Sequence, residues 1–454
     1  MQEAARTQTR NVLVLYDPYA LETEFVRQHL TAIRRHSRHN VAYAAATSDC
    51  KAEFPLELFD ALIIHFSVRM PFETMSQDFV DLVANFSGPK VLLIQDEYDM
   101  PRKSCVLIRK LGIQTVFTTV PENFVHQVYP PDELPGVTFR PCLTGYIPDE
   151  LPLELVEPVS ARPVWLAYRG RKLPVWYGHL GSEKFSIAVR MKAECMARGV
   201  PHDVEWEEAK RINGQAWFGF MTRARAVLGT ESGANVMDAW GDIRRGVEAM
   251  QSKRPDASEE ELYELLVAPH ENNVTMNQIS PKIFEAIALK TGLVLFEGGY
   301  SGIIKPDRHF IPLRKDYANV DDVFRQLADT AYLQEMIDRA YEDIIVGGEY
   351  GYGKFVKDID DVIEATAVSD RPRPQLQTFA LVRSDASGFS WAAITPHLPL
   401  TMPIPVRRLA LEPLVPGRLR GFWLRLPLWL RTRIITLIGP AARRQRAASG
   451  SRGR

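Results

Sequence analysis

Five apolar runs in the first third of the chain constrain the fold more than any other feature. They are NVLVLY at 11–16, residues 40–46, ALIIHF at 61–66, KVLLIQ at 90–95 and QTVFT at 114–118. A strand that is apolar on both faces belongs to a parallel sheet covered by helices on either side. Helical stretches at about 20–35, 73–86 and 101–111 fill the gaps. The alternation predicts a doubly wound α/β domain over residues 1–150. It ends where Pro141, Pro148 and Pro152 crowd a loop. A second alternating unit has strands at 163–168 (PVWLAY), 200–206 (VPHDVEW), 225–229 (RAVLG) and 292–298 (GLVLFEG), with helical patterns through 352–366. The expected fold class is therefore α/β, with two Rossmann-like doubly wound domains, 1–150 and 151–366, facing a cleft. Ligands in such sheets bind beyond the carboxyl ends of the strands, so the loops after each strand are where chemistry is expected.

Charge divides the chain differently. The 454 residues carry a net charge of −1, but 401–454 hold twelve Arg and one acid (Glu412). Residues 1–400 then carry −12, with 43 basic residues against 55 acidic ones. The third region, 367–454, reads as a Pro- and Ser-richer linker followed by an Arg-rich tail. Within it, GFWLRLPLWLRTRIITLIGP at 421–440 is expected to form a short amphipathic helix. Trp and Arg in that pattern suit an anionic membrane surface; the alternative is packing on the acidic body. No apolar run reaches the roughly 20 residues of a membrane span. The polar first ten residues have no signal-like apolar core behind them. Cys50, Cys105, Cys142 and Cys195 are scattered, with no CxxC or His-Cys cluster. Scattered thiols fit a reducing compartment and argue against zinc. The expected place is cytoplasmic, peripheral at an inner membrane if the tail binds one. A near-neutral chain is not expected to bind nucleic acid.

The loops exclude several chemistries. Asp17-Pro18-Tyr19 follows the first strand in place of GxGxxG, and neither GxxxxGK[ST] nor GxSxG occurs. Dinucleotide-dependent oxidoreductases, P-loop NTPases and α/β-hydrolases are thereby disfavoured. The informative stretch is NQISPKIFEAIALKTGLVLFEGGYSG at 277–302. Ser280 is a good helix cap and Pro281 a good first helical residue. The free N–H groups of a helix start can hold a diphosphate. Lys282 adds charge beside it, and Glu285, one turn on, can accept hydrogen bonds from vicinal ribose hydroxyls.

Here the sequence resembles the donor-binding domain of GT-B glycosyltransferases, in the loose group of spore-maturation-type and family-1-like bacterial enzymes. Lys282, Phe284, Glu285, Ala286 and Gly292 match that group's pattern. The resemblance is best over about 160–350. It implies a nucleotide-sugar donor substrate, no other cofactor and no metal, with Glu285 on the donor ribose and Gly298, Gly299 and Tyr300 bounding the donor pocket. Many retaining relatives carry a second Glu eight residues earlier, where this chain has Asn277.

Two further loops join the donor candidates. LGTESGANVMDAWGD at 228–242 offers Glu231, Ser232 and Gly233 to sugar or phosphate. YRGRKLPVWYGHLGSEKFSI at 168–187 offers Arg169, Arg171 and Lys184 to the diphosphate. The first domain is expected to hold the acceptor, a glycan, lipid-linked or small-molecule hydroxyl. Asp17, His65, Asp96, Glu97 and Asp99 stand at strand ends as candidates for a general base. The expected activity is sugar transfer, in bacterial surface-glycan assembly or elsewhere. The alternative is a non-catalytic nucleotide- or glycan-binding protein on the same scaffold.

Overall fold

The computed structural model describes residues 9–48, 50, 52 and 56–366 and the strand pair at 382–385 and 388–391. The rest of the linker, the Arg-rich tail and the expected helix at 421–440 lie outside the described residues.

The first sheet has six parallel strands: β1 (Asn11–Tyr16), β2 (Asn40–Ala45), β3 (Ala61–Ile64), β4 (Lys90–Leu93), β5 (Thr115–Thr118) and β6 (Thr138–Pro141). Their order is β2-β1-β3-β4-β5-β6, with Val12 opposite Ala61 and Val14 opposite Ile63 across the β1–β3 pair. Every residue of β1, β3, β4 and β5 is buried. That follows from α1 (Glu24–His36), α2 (Gln77–Asn85), α3 (Pro101–Leu111) and the one-turn α4 (Val125–Val128) covering the sheet. The strand order reverses between β1 and β3, which opens a crevice at their carboxyl ends.

The second sheet repeats the plan with five parallel strands: β7 (Val164–Arg169), β8 (His202–Glu205), β9 (Ala224–Gly229), β10 (Gly292–Phe296) and β11 (Ile311–Leu313). Their order is β11-β10-β9-β7-β8, reversing between β7 and β9. Its helices are α5 (Gly178–Ala197), α6 (Ala216–Thr222), α7 (Asp242–Lys253), α8 (Glu259–Leu266), α9 (Pro281–Ala288), α10 (Val320–Ala328) and α11 (Thr330–Tyr341). The long acidic section before α9 holds α7 and α8, which close on a small core of Val236, Ile243, Val247, Leu262 and Val267. Strand β6 escapes the hydrophobic pattern because it is a mostly exposed edge strand, and β11 because it is only three residues long.

The helix α12 (Tyr352–Ala365) departs from the expected division at residue 150. It was expected to belong with the second domain, yet Tyr352, Phe355, Val356, Ile359 and Ile363 are buried in the core of the first. Asp360 pins it there, accepting from the Ser37 hydroxyl at 2.8 Å and the Arg38 N–H at 2.7 Å. Amphipathic spacing says that a helix has an apolar face but not which sheet that face covers. The chain thus crosses between domains twice, near 143–156 and again before α12. A third tie is made by backbone: Met100 N–H donates to Asp238 O and Asp238 N–H to Tyr98 O, both at 2.9 Å. The cleft between the sheets is therefore braced on several sides. The last strands, β12 (Val382–Asp385) and β13 (Gly388–Trp391), form an antiparallel pair.

Candidate functional site

Helix α9 enters the cleft beside the β7–β9 switch point. Ser280 has the extended backbone of a cap (φ −91°, ψ 150°) and Pro281 opens the helix. The Ser280 hydroxyl does not cap, however; it is buried without a hydrogen-bond partner. Ser280, Lys282 and Glu285 line a cavity of about 460 Å³. Residues of both domains wall it, among them Glu24, Arg69, Asp96, Tyr168 and Trp217.

Glu285 is 5% exposed. The Trp217 indole N–H donates to its Oε2 at 2.8 Å. Burial pushes its carboxyl up to about 7 against that bond and against Lys282. Lys282 donates from Nζ to Leu228 O at 2.9 Å and sits 4.4 Å above the Tyr168 ring. Burial, with Lys184 beside it, pushes the Lys282 ammonium down to about 7. Lys184 lines the same cavity and is lowered by burial as well. Arg171 is exposed at its edge. Two lysines short of counter-charge and one half-satisfied carboxylate make a site ready for an anion that carries hydroxyls.

Arg169 lines the same cavity, but its guanidinium is already engaged. Its guanidinium donates to Asp203 Oδ1 at 2.7 Å, to the Asp203 and Tyr168 carbonyls at 2.9 Å and to Lys210 O at 3.0 Å. It also lies 4.5 Å over the Phe220 ring. An Arg at the end of β7 that is already this committed braces the 207–215 loop rather than waiting for a diphosphate.

Glu231, a donor candidate in the sequence, is not among the residues that line this cavity. It is buried and accepts from the Tyr300 N–H at 2.7 Å, the Gly299 N–H at 3.1 Å and the Asn277 Nδ2 amide at 2.7 Å. Asn277 in turn accepts from the Asn235 amide at 2.8 Å. Residues Glu231, Asn277, Gly299 and Tyr300 thus clamp three loops to one another. Tyr300 is wholly buried, its hydroxyl bound to Phe296 O at 2.6 Å. Gly298 fits under this clamp because a Cβ there would lie 2.6 Å from Glu231 Oε2. Gly233, at φ +105°, allows the loop to pass Met276, whose carbonyl would stand 2.0 Å from any Cβ. Ser232 lines the cavity and pairs its backbone with Gln278.

Across the cleft, a second cavity of about 380 Å³ occupies the β1–β3 switch point. Asp17, Asp96 and Asp99 line it together with Tyr19, Phe66, Arg69 and Phe72. Arg69 and Asp96 line both cavities, so the two meet there. Asp96 is exposed, follows β4 with φ +57° and accepts from the Tyr98 hydroxyl at 2.7 Å. Asp17 accepts from the Tyr19 N–H at 2.9 Å. Asp99 is buried between Tyr177 at 3.0 Å and Arg69 at 3.3 Å, its carboxyl raised by burial.

Two candidate bases do not reach either cavity. His65 is fully buried, bonded to the Ser67 hydroxyl at 2.9 Å and to the His29 ring at 3.0 Å. Burial holds it well below the usual imidazole range. Glu97 turns inward, accepting from the Thr119 N–H at 2.9 Å, the Thr119 hydroxyl at 2.8 Å, the Tyr129 hydroxyl at 2.9 Å and the Thr118 hydroxyl. Burial lifts it to about 7. The two residues lie past the end of β4, in a turn that Asp96 enters with a left-handed backbone, and only Asp96 of the pair faces the cleft. Sequence reading missed Arg69 and Trp217. Arg69 stands in the loop after β3, where a search of strand ends could have found it; Trp217 carries no motif.

Two parallel doubly wound sheets facing a shared cleft make up the GT-B architecture. The fold is GT-B. No family model and no curated protein matches the chain. Among solved structures it is similar to an α-glucosyltransferase in complex with UDP and a 13-mer DNA containing a HMU base (12% identity, 78% of this chain and 100% of that one, TM-score 0.47). It is also similar to T4 phage BGT in complex with UDP-glucose (10%, 78% and 99%, 0.45) and to Anabaena HepE in complex with UDP-glucose (10%, 79% and 100%, 0.40). Among the described residues, no helix is long and apolar enough to cross a membrane, and no group of three or more His, Cys, Asp or Glu is placed to hold a metal ion.

Proposed function

We propose that this protein is a glycosyltransferase that moves a sugar from a nucleotide-sugar donor to an acceptor hydroxyl. One observation carries the reading: a cavity with Lys184, Lys282 and Glu285 opens into a second cavity, and Asp96 lines both. The diphosphate lies against Lys282, Lys184 and Arg171 near the start of α9, where the helix dipole adds positive potential. Glu285 accepts from the ribose hydroxyls. The acceptor occupies the Asp17–Phe72 cavity with its hydroxyl at Asp96. Asp96 takes the proton as the acceptor oxygen bonds to the anomeric carbon and the bond to the diphosphate breaks. The lysines and the helix start stabilise the leaving diphosphate. A base on the acceptor goes with inversion at the anomeric carbon, and nothing in the reading calls for a metal. The Arg-rich tail would hold the enzyme near lipid-borne acceptors.

Turnover is the test. Nucleoside diphosphate release is measured from UDP-, GDP-, CDP- and TDP-sugars with a panel of glycan acceptors. Asp96→Asn is expected to lower kcat by about 10²–10⁴-fold without weakening nucleotide binding. Turnover by that variant equal to wild type would remove Asp96 from the reaction. Nucleotide binding with no turnover by wild type would favour the non-catalytic alternative.

A further inference from the structure

The residues around Glu285 form a connected stack. Trp217, in the first turn of α6, lies on Phe220 with ring centroids 5.5 Å apart and planes 26° from parallel. Phe220 lies under the Arg169 guanidinium, which is fixed to Asp203 and to the 207–215 loop through Lys210. The stack therefore runs from the sheet edge at β7 and β8 to one oxygen of Glu285. A carboxylate on a three-torsion side chain has several rotamers. An indole N–H at 2.8 Å, on a ring held from behind, selects one of them. Among the described residues, Trp217 is the only hydrogen-bond donor to the Glu285 carboxylate; the other oxygen is left to the cavity, which Glu285 lines.

We infer that Trp217 is a positioning residue that presets Glu285 to take vicinal ribose hydroxyls, so that the site selects ribonucleotide donors over deoxyribonucleotide ones. This inference rests on the donor reading above. It also gives Arg169 a role, as the far anchor of the stack. Selection of this kind needs a buried acceptor whose geometry is fixed before binding. A loose carboxylate would swing to water when one hydroxyl is missing, whereas a fixed one keeps an unmet lone pair.

The test compares UDP, GDP and CDP with their 2′-deoxy counterparts by calorimetry on the full chain. Wild type is expected to bind one ribonucleotide at least tenfold more tightly than its deoxy form. Trp217→Phe keeps the stacked ring and removes the N–H. It is expected to shrink that ratio to below threefold, mainly by weakening the ribonucleotide. Arg169→Gln, which loosens the stack from its far end, is expected to reduce the ratio in part. A pH profile separates positioning from mere packing. The groups facing Glu285 are Lys282 on its own helix, Glu24 from α1, Trp217 from α6 and Tyr352 from α12. Removing the indole N–H takes away a bond that favours the ionised carboxylate. The acid limb of ribonucleotide binding then moves to higher pH while the alkaline limb stays. A folded Trp217→Phe protein with wild-type discrimination and an unmoved acid limb overturns the inference alone. No nucleoside diphosphate binding by wild type overturns the donor reading and this inference with it.

Discussion

Raising the pH from 7 to 9 is expected to weaken nucleoside diphosphate binding about 25-fold: loss of charge on Lys282 gives about 50-fold, and ionisation of Glu285, also brought to about 7, returns about twofold. The Lys282 ammonium is wedged between Leu228 O, the Tyr168 ring and Lys184, and burial has brought its ionisation down to about 7. In the empty site the group is then half charged at pH 7 and about one-hundredth charged at pH 9. A diphosphate requires the charged form, so reprotonation costs about 1 kcal/mol over the first pH unit above 7 and approaches about 1.4 kcal/mol per unit beyond it. The terminal phosphate has already ionised by pH 7 and adds no slope of its own. Lys184, lowered in the same direction, can only steepen the trend. The assay is calorimetric titration between pH 7 and 9, in buffers of different ionisation enthalpy at each pH. Close to one proton should be taken up per nucleotide near pH 8. Lys282→Met should bind weakly at pH 7 with much less pH dependence above it. That variant should also make the empty protein more stable near neutral pH, by up to about 4 kcal/mol less the contribution of the lost bond to Leu228 O. The sign follows from linkage: a lysine whose folded value lies below 10.5 costs stability increasingly as pH falls from 10.5 toward 7. A wild-type Kd constant within threefold from pH 7 to 9, with no proton uptake, would refute the role given to Lys282.

Gly233→Ala places a Cβ against Met276 O at a backbone angle that L-residues avoid. It should destabilise by about 3 kcal/mol or more, read as a lower urea midpoint; a midpoint equal to wild type would mean that the loop path is not as described. His29 is held down at about 3 by burial and His65 is lowered with it. Both folded values lie below the free 6.5. The pair's contribution to stability is therefore whole above pH 6.5 and is lost as pH falls toward the folded values, by up to about 1.4 kcal/mol per unit for each ring. Their ring resonances should not titrate between pH 7.5 and 5; titration near 6.5 would contradict the buried pair.

The parts of this protein that could be read from sequence are the parts whose causes are local. Strands β1, β3 and β4 are marked by their own apolar residues. The Ser280-Pro281-Lys282-Glu285 segment carries its helix start, its base and its acid within six positions, and the structure brings Lys282 and Glu285 to one cavity. The candidates that the structure commits to other partners share a different cause. The orientations of His65, Glu97, Arg169 and Glu231 were decided by His29, Tyr129, Asp203 and Tyr300, none of them near in sequence. A polar residue at a strand end is equally legible as a ligand or as a clamp until its partner is known. Trp217 lies 68 positions from the carboxylate that it orients, and no spacing rule reaches that far. Helix α12 shows the same limit at the level of domains: its pattern was visible and the sheet that it covers was not.

The central claim is that the cavity beneath α9 binds the nucleotide of a sugar donor. Titrating wild type and Glu285→Ala with UDP, GDP, TDP and CDP tests it most directly. The account predicts that wild type binds one of the ribonucleotides and that the variant binds it at least tenfold more weakly. Equal affinity in both proteins, or no affinity in either, would contradict it.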